Sequence, residues 1–319
     1  MTSVKLRDLS PSTQEFLEAV LAGLSGDPKT LPCKFLYDET GAVLFEAICT
    51  LDTYYPTRTE VSIMAQHAAE MARELGPKVR LIEPGSGSLT KIRFLLERLE
   101  DPIDFVPIDI ALEQLEAEAN VLAKEFPDLP VHPLCADFTQ PFTLPACDRD
   151  GGRSVVYYPG STLGNFEPAA AVGFLQRMAK LVGPGGALLV GQDLAKSEAV
   201  LREAYDDPAG VTAAFNKNLL QRMNRELGAD FDVRSFRHEA RFEQKPSRMV
   251  LQLVSNREQS VVIDDQRFDF AKDEAIVTEF SHKPTLDEFA ELVASAGLRV
   301  ERVWLDDDAR FSVQLLVPA

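Results

Sequence analysis

The sequence predicts an α/β fold in which helices cover both faces of a mostly parallel sheet, with an α+β region inserted late in the chain. From about residue 78 to residue 195, short apolar runs alternate with segments of helical periodicity, as in strands joined by crossover helices. After about residue 196, apolar and polar residues alternate, which indicates an antiparallel sheet with one wetted face. A chain of 319 residues is long enough for one large domain or two moderate ones.

The part of the chain before residue 78 has mainly helical patterns. Residues 11–26 (PSTQEFLEAVLAGLSG) predict an amphipathic helix that ends at a glycine. A second helical pattern extends from residue 34 to residue 75, and a polar, aromatic turn around residues 53–57 interrupts it.

Short apolar runs, separated by helical segments, are the predicted strands of the parallel sheet. They are VRLIEP (79–84), IDFVPIDI (103–110), VHPLCADF (131–138), SVVYYPG (154–160) and GPGGALLVGQDL (183–194). Turns that contain glycine or an acid follow several of these runs. The carboxyl ends of parallel strands are where such sheets bind ligands.

The last third of the chain predicts an insertion and then a return to the first sheet. Residues 197–227 have a helical pattern, and three alternating runs follow: SFRHEARFEQ, SRMVLQLVSN and QSVVIDDQRFDF. One more helix (TLDEFAELVASAG) and two strands joined by an acidic turn (LRVERVWLDDDARFSVQLLVPA) complete the chain. We therefore expect one domain from residues 61–195 and 286–319, and a second, α+β domain from residues 1–60 and 196–285.

The charge of the chain disfavours nucleic acids and membranes as partners. The net charge is −17 and no run of Lys and Arg is present, so phosphate backbones and anionic membrane surfaces would be repelled. The first residues lack the apolar core of a signal peptide, and no stretch approaches the ~18 apolar residues of a membrane span. We expect a cytoplasmic protein.

The cysteines and histidines do not form a metal or disulfide pattern. Cys33, Cys49, Cys135 and Cys147 include no CxxC pair, and the four histidines are scattered. Buried thiols in a reducing compartment explain this usage better than a disulfide framework, and we expect no metal site.

The turn EPGSGS at residues 83–88 predicts a ligand site. Its glycines let a ligand approach the backbone, but Thr90 stands where a nicotinamide-binding turn has its third glycine. Glu83 and the strand-final Asp109 suit a ligand with an amine and ribose hydroxyls, since carboxylates accept hydrogen bonds from both. In ADF, Asp137 could meet an adenine amino group while Phe138 lies along the ring. Ordinary capping of loops is the alternative.

This ordered series of EPGSGS, Asp109, ADF and a helix–GPGG–strand step resembles the class I S-adenosylmethionine-dependent methyltransferases. The resemblance implies a Rossmann-like sheet with an antiparallel last strand and S-adenosylmethionine as the cofactor. The alternative is a non-catalytic module that has lost the cofactor, which the retained EPGSG, Lys91, Asp109 and ADF disfavour.

Several polar residues lie where a substrate could bind. Asn165 follows the fourth strand, and its amide could donate to a carboxylate; a turn asparagine with positive φ explains it equally well. Tyr205 could donate to a carboxylate or be a half-buried aromatic. Tyr37 and the Tyr54–Tyr55 pair could flank a methylated ammonium, although YYPT is also an ordinary aromatic turn.

The stretch IVTEFSHKP (276–284) combines an acid and a hydroxyl on one face of a predicted strand. Glu279 and Ser281 are two residues apart, so their side chains project to the same side, while Phe280 points to the other side and packs. A carboxylate accepts from the N–H of a neutral imidazole, and a hydroxyl donates to its bare nitrogen. A solvated edge strand is the alternative.

Taken together, these motifs resemble the L-histidine Nα-methyltransferases of ergothioneine biosynthesis. The matching stretches are FLYDETG, TYYPTRTE, EPGSGSLTK, PIDI, ADF, GSTLGNF, AYDDPAGVTAAFN and TEFS, from about residue 33 to the C-terminus. The resemblance implies that histidine binds between the two domains. It assigns the cofactor to Gly85, Ser86, Lys91, Asp109, Asp137 and Phe138. It assigns the substrate carboxylate to Asn165 and Tyr205, the α-amine to Tyr54 with Tyr37 nearby, and the imidazole to Glu279, Ser281 and Met249.

The resemblance also implies the reaction. Three successive methylations of the α-amine would convert L-histidine, through its mono- and dimethyl forms, to the trimethylammonium betaine hercynine. The sequence identifies no catalytic base, and we expect a monomer. An N-methyltransferase of another amino acid or aromatic amine is the alternative, which the acid–hydroxyl pair disfavours because a plain aromatic substrate favours apolar residues there.

Overall fold

The computed structural model describes residues 6–9, 11–147 and 152–319. Its α-helices are α1 (Thr13–Leu24), α2 (Glu39–Cys49), α3 (Tyr55–Leu75), α4 (Thr90–Leu96), α5 (Leu112–Glu125), α6 (Pro168–Val182), α7 (Glu198–Tyr205), α8 (Val211–Leu227) and α9 (Leu286–Ser295). Its first seven strands are β1 (Arg7–Leu9), β2 (Lys29–Thr30), β3 (Val79–Pro84), β4 (Asp104–Asp109), β5 (Leu134–Ala136), β6 (Arg153–Tyr158) and β7 (Ala187–Asp193). The later strands are β8 (Phe236–Gln244), β9 (Ser247–Ser255), β10 (Gln259–Ile263), β11 (Gln266–Phe270), β12 (Ala275–His282), β13 (Leu298–Leu305) and β14 (Phe311–Pro318).

The chain divides into two compact units. The first contains Pro56–Ala195, Lys283–Ala319 and the described residues of the N-terminal ten; the second contains Pro11–Tyr55 and Lys196–His282. These bounds differ from the predicted domains chiefly at the N-terminus, because β1 pairs in parallel with β5 and so belongs to the first unit. The predicted turn around residues 53–57 is also shorter than expected, since α3 already begins at Tyr55.

The first unit is an eight-stranded sheet in the order β1-β5-β4-β3-β6-β7-β14-β13. Strands β3 to β7 pair in parallel, and β14 pairs antiparallel with both β7 and β13. All seven residues of β7 are buried, as expected for a strand covered on both faces. The predicted α/β class, with an antiparallel last strand, is confirmed.

Two apolar cores lie on the two faces of this sheet. Ile63, Leu81, Leu95 and Phe105 belong to one core, and Val106, Phe174, Leu188 and Phe289 belong to the other. Neighbouring residues of β4 thus contribute to opposite cores, which follows from the alternation of side chains along a strand. This packing fixes the carboxyl ends of β3, β4 and β6, where the predicted ligand turns begin.

The second unit contains a four-stranded sheet in the order β2-β12-β9-β8 and a separate β10–β11 hairpin. The prediction of one antiparallel sheet with a wetted face is wrong in two respects. The run QSVVIDDQRFDF forms its own hairpin, and β9 is buried along its last seven residues rather than on alternate ones. Helices α1, α2, α7 and α8 contribute to one core with Met249, Leu251 and Leu253, which are alternate residues of β9 and so share one face of the strand.

No helix in the described part of the chain is both long and apolar enough to traverse a lipid bilayer. Within the described ranges, no group of three or more His, Cys, Asp or Glu side chains is arranged to hold a metal ion.

Candidate active site

The glycine turn after β3 packs closely against Phe138 and the end of β4. Gly85 has a positive φ of 70°, and a Cβ built there would come within 3.2 Å of the Phe138 ring. The N–H groups of Gly85 and Ser86 donate to the carbonyl of Ile108 at 2.7 Å and 3.1 Å, which holds the turn against the end of β4. Ser86 itself is only 4% exposed. Glycine is therefore required at residue 85 for both its backbone and its space.

Asp109 fixes the turn from the neighbouring strand. Its carboxylate accepts hydrogen bonds from the N–H of Gly87 at 2.8 Å and from the N–H of Ala111 at 2.9 Å. Burial raises the pKa of Asp109, while these N–H donors lower it. The predicted ligand residue therefore also has a structural role, since it joins the turn after β3 to the end of β4.

Asp137 and Phe138 lie after β5, as the ADF motif predicted. The Asp137 carboxylate accepts from the N–H and the hydroxyl of Thr139 at 2.8 Å and 2.6 Å, which sets its orientation. The Phe138 ring is half-buried and makes edge contacts with Tyr158 and Phe174, at centroid distances of 5.8 Å and 6.1 Å. A fixed carboxylate beside a supported aromatic face suits an adenine ring.

Glu83, next to the last residue of β3, is buried. The side chain is 1% exposed, and in the described part of the chain its Oε2 has no hydrogen-bond partner. Burial raises the pKa of Glu83 well above its ordinary value, although Lys91 lowers it. Burial thus favours the protonated form of Glu83.

Lys91 lies in the first turn of α4, and its Nζ donates to Glu60 at 2.6 Å. The Lys91 side chain is 17% exposed. The predicted cofactor residues Gly85, Ser86, Lys91, Asp109, Asp137 and Phe138 all belong to the first unit. Their donor set and the space left by Gly85 fit a nucleoside with an amino-acid tail.

Asn165 ends a short 3₁₀ turn, Thr162–Asn165, that follows β6. It is half-buried, and it is not among the described residues with positive φ, so the explanation of a left-handed turn asparagine is wrong. The left-handed positions are Gly160 and Ser161 instead, with φ of 78° and 58°. This places the bend before the 3₁₀ turn.

Glu279 and Ser281 lie on β12 after a break in its register. The pairing with β9 shifts between Val277 and Glu279, which is a β-bulge. Beyond it, Glu279 and Ser281 are 9% and 3% exposed, whereas Phe280 and His282 are half-buried. The alternation agrees with the shared face expected for the acid and the hydroxyl, and the solvated edge strand is wrong. Phe280 instead packs under the Arg248 guanidinium, 4.0 Å from the ring centroid.

The other predicted substrate residues of the second unit cluster near this pair. The hydroxyls of Tyr205 and Ser281 are 3.0 Å apart and share a hydrogen bond. Met249 is fully buried on β9, directly opposite Ser281 in the strand register. Tyr205 is only 6% exposed, so it is more buried than the half-buried aromatic we considered.

Tyr54 lies in an aromatic cluster. Its ring centroid is 6.0 Å from that of Tyr205 and 6.3 Å from that of Phe45. Tyr37 contacts Phe45 and Phe215, each at 5.4 Å. Burial raises the pKa of Tyr54 well above its ordinary value, and the charges of Tyr205, Cys49, Tyr37 and Glu279 raise it further. Tyr54 is therefore a neutral phenol at physiological pH.

Comparison with known proteins decides the family. The model of the family described as "Histidine-specific methyltransferase, SAM-dependent" matches residues 16–318. The chain belongs to this family. It is an S-adenosylmethionine-dependent methyltransferase, and the predicted cofactor and enzyme class are confirmed.

Three relatives with different names are similar to this chain. A histidine N-alpha-methyltransferase of Mycolicibacterium smegmatis is 38% identical over 304 residues, which cover 93% of each chain. Ergothioneine biosynthesis protein 1 of Neurospora crassa is 33% identical over 207 residues, covering 63% of this chain and 23% of the relative. An L-tryptophan methyltransferase of Psilocybe serbica is 28% identical over 338 residues, which cover 94% of this chain and 92% of the relative.

Sequence reasoning missed several residues of this methyltransferase's candidate site. Phe45 and Phe215 complete the aromatic cluster, but each occurs in an amphipathic helix, where a phenylalanine is ordinarily part of the core. Glu60 was missed because it lies within a long helical pattern. The signal that could have found Glu60 is its position at the end of the motif TYYPTRTE.

Proposed function

We propose that this protein transfers methyl groups from S-adenosylmethionine to the α-amine of L-histidine. Three successive transfers would give hercynine, the first step of ergothioneine biosynthesis. The observation that carries the proposal is the buried acid–hydroxyl pair on β12, Glu279 and Ser281, in a chain of the histidine-specific family.

The pair suits a neutral imidazole better than a phenyl or indole ring. Glu279 accepts the ring N–H, and the Ser281 hydroxyl donates to the bare nitrogen. A phenyl ring has no N–H from which Glu279 could accept, and an indole has an N–H but no bare ring nitrogen to which Ser281 could donate. Each of these rings therefore loses a hydrogen bond that histidine makes, which costs about 1–3 kcal/mol. Met249, opposite Ser281 in the register, supplies an apolar contact to the ring face.

The contact between Tyr205 and Ser281 gives way when histidine binds. Each hydroxyl has one proton, so the two residues cannot hydrogen-bond to each other and also donate to two substrate groups. In the proposed complex, Ser281 donates to the ring nitrogen and Tyr205 donates to the carboxylate. The Asn165 amide is the second proposed donor to that carboxylate.

The chain positions the amine and leaves room for methylation. S-adenosylmethionine supplies an electrophilic methyl group on a sulfonium. The neutral α-amine attacks this methyl group as its bond to sulfur breaks, and S-adenosylhomocysteine leaves. The product ammonium loses its proton to solvent before the next transfer, so no strong base is required. Tyr54, a neutral phenol, accepts one hydrogen bond from the amine but does not abstract its proton. The rings of Tyr37 and Tyr54 stabilise the ammonium that forms as methyl groups accumulate. The first and second products therefore still fit as substrates.

Mass spectrometry of the reaction products tests the proposal. The protein is incubated with S-adenosylmethionine and an equimolar mixture of the common amino acids. We expect histidine with three added methyl groups as the dominant product. Because one relative is an L-tryptophan methyltransferase, methylated tryptophan without methylated histidine is the outcome that would refute the proposal. A cytoplasmic monomer stays our prediction; light scattering on the purified protein tests the oligomeric state.

A further inference from the structure

Glu60 is a fully buried charged residue to which the proposed chemistry gives no role. It is the last residue of the motif TYYPTRTE and lies on α3, with 0% exposure. Its Oε2 accepts a hydrogen bond from Lys91 Nζ at 2.6 Å and from the Gly160 N–H at 2.9 Å. Its Oε1 lies 3.1 Å from the same Gly160 nitrogen. A carboxylate removed from water is costly unless it is paired in this way.

Three of the motifs that carry the family resemblance therefore meet at one carboxylate. Glu60 comes from TYYPTRTE, Lys91 from EPGSGSLTK, and Gly160 from the turn GSTLGNF. A Cβ built at Gly160 would lie 3.6 Å from Lys91 Nζ, so the ammonium also lies beside this turn. The carboxylate thus ties the lysine of the cofactor turn to the turn that ends at Asn165.

The Glu60 carboxylate occupies the space beside Gly191. A Cβ built at Gly191 of β7 would be 2.0 Å from Glu60 Oε1, although the Gly191 backbone is not left-handed. The backbone of Gly191 does not require a glycine, but the space that the carboxylate occupies does. Glu60 Oε2 lies 2.6 Å from Lys91 Nζ, so Glu60 is the ion-pair partner of the lysine.

We propose that Glu60 is a positioning residue for cofactor binding that acts through Lys91. It holds the ammonium so that the remaining N–H groups of Lys91 face an oxygen acceptor of S-adenosylmethionine. A lysine fixed before binding loses less side-chain entropy when the cofactor arrives. The inference rests on the proposed cofactor role of Lys91 and adds the group that orients it.

The variant Glu60→Gln tests this role, because it keeps the shape of the side chain and removes its charge. Isothermal titration with S-adenosylhomocysteine should show affinity weakened by about tenfold or more, since a buried charge partner of Lys91 is lost. The KM for S-adenosylmethionine should rise while kcat at saturation changes little. Glu70→Gln is the matched control, since Glu70 lies on the same helix with a side chain 45% exposed, and it should bind as the native protein does.

Two further variants distinguish positioning from simple stabilisation. If Glu60 acts through Lys91, the double variant Glu60→Gln/Lys91→Met should bind S-adenosylhomocysteine as weakly as Lys91→Met alone. Gly191→Ala should weaken binding similarly, because its methyl group displaces the carboxylate without changing a polar group. Gly191→Ala carries the test if Glu60→Gln does not fold.

The proposal is overturned if the folded Glu60→Gln and Gly191→Ala variants bind S-adenosylhomocysteine as the native protein does. The proposal is also overturned if the losses of binding free energy in Glu60→Gln and Lys91→Met add fully in the double variant. Native binding by Lys91→Met would remove the proposed role of Lys91 as well. None of these results depends on which amino acid is methylated, so the product assay with histidine remains a separate test.

Discussion

Tyr54 shows how burial decides the chemistry of a single side chain. The phenol lies among aromatic rings and acidic neighbours, and its pKa is raised well above the ordinary value, first by burial. A phenol whose pKa is raised stays protonated throughout the neutral range. It can therefore orient an amine or accept a hydrogen bond, but it cannot serve as the base.

The variant Tyr54→Phe tests this interpretation through its pH dependence. The raised pKa means that no ionisation of Tyr54 occurs between about pH 7 and pH 9. Native protein and variant should therefore give parallel profiles of log(kcat/KM), with the variant lower by about tenfold or less for one lost hydrogen bond. A rising alkaline limb that occurs in the native profile and is absent from the variant would show that the phenol does ionise.

At this scale the sequence predicted the polar residues better than the apolar ones. Glu279 and Ser281 could be found because an acid and a hydroxyl at strand spacing are unusual. Phe45 and Phe215 could not, because an aromatic residue on a helix face has the same pattern whether it lines a site or fills a core. The raised pKa of Glu83 was equally hidden, since it depends on burial by residues distant in sequence.

The glycine turn is the element where backbone geometry and ligand space coincide. Gly85 and Gly76 both have positive φ, of 70° and 78°. A Cβ at Gly85 would press on Phe138, whereas a Cβ at Gly76 would meet nothing within 4 Å. Alanine at residue 76 therefore measures only the free energy of the strained backbone, whereas alanine at residue 85 adds the contact with Phe138.

We predict that Gly85→Ala and Gly76→Ala each lower the free energy of unfolding by about 1–2 kcal/mol, because alanine disfavours the left-handed region. Only Gly85→Ala should also weaken S-adenosylhomocysteine binding, since it displaces the Phe138 ring. Urea unfolding and isothermal titration measure the two effects. Equal cofactor affinities in the two variants would contradict the proposed place of the turn in the site.

Helix α8 depends on a cap within the motif AYDDPAGVTAAFN. The Asp207 carboxylate accepts from the N–H of Val211 at 3.0 Å and from the N–H of Thr212 at 2.7 Å. Burial alone would raise the pKa of Asp207, but the hydrogen bonds from Thr212 and Val211 outweigh it and the pKa is lowered. Tyr205 lies just before this cap, so the motif combines a proposed substrate residue with the start of the next helix.

A lowered pKa means that the carboxylate stabilises the fold above its unfolded pKa of about 3.9, and that this stability is lost as pH falls through the folded value. The side chain of the Asp207→Asn variant has one acceptor oxygen, whereas the N–H groups of Val211 and Thr212 each need one. We therefore expect the substitution to lower the free energy of unfolding by about 1–2 kcal/mol at neutral pH. The difference from the native protein should shrink below about pH 4. The control is Asp206→Asn, because Asp206 is the exposed neighbour of Asp207. If Asp207→Asn lowers the free energy of unfolding by the same amount at every pH, the argument is contradicted.

At the scale of elements, the sequence predicted the type of most helices and strands but not their pairing. The bulge between Val277 and Glu279 leaves no sequence signal, because the run IVTEFSH alternates in an ordinary way. The β10–β11 hairpin was assigned to the larger sheet, since alternation shows that a strand is amphipathic and not which strand it joins. Strand β1 is only three residues long and was not predicted at all.

At the scale of the whole molecule, neither unit is formed from one continuous segment. The chain leaves the first unit after Ala195 and returns to it at Lys283. The change from alternating strands and helices to an antiparallel pattern revealed this insertion, and the final helix and two strands revealed the return. The antiparallel β14 beside β7 then followed from the resemblance to class I methyltransferases, whereas composition alone would not have given it.

The N-terminal boundary could not be predicted in the same way. Strand β1 joins the sheet of the first unit through β5, while the helices that follow it belong to the second unit. A short strand next to a helical region gives no local signal of its partner, because pairing depends on a contact more than a hundred residues away.

The central claim is that Glu279 and Ser281 recognise both nitrogens of a neutral imidazole, and ring-methylated histidines test it most directly. A methyl group on one ring nitrogen removes the N–H that Glu279 accepts, and a methyl group on the other blocks the nitrogen to which Ser281 donates. Titration should therefore show that both ring-methyl isomers bind at least about tenfold more weakly than L-histidine, for the loss of one buried hydrogen bond. Affinity equal to that of histidine for either isomer would contradict the account.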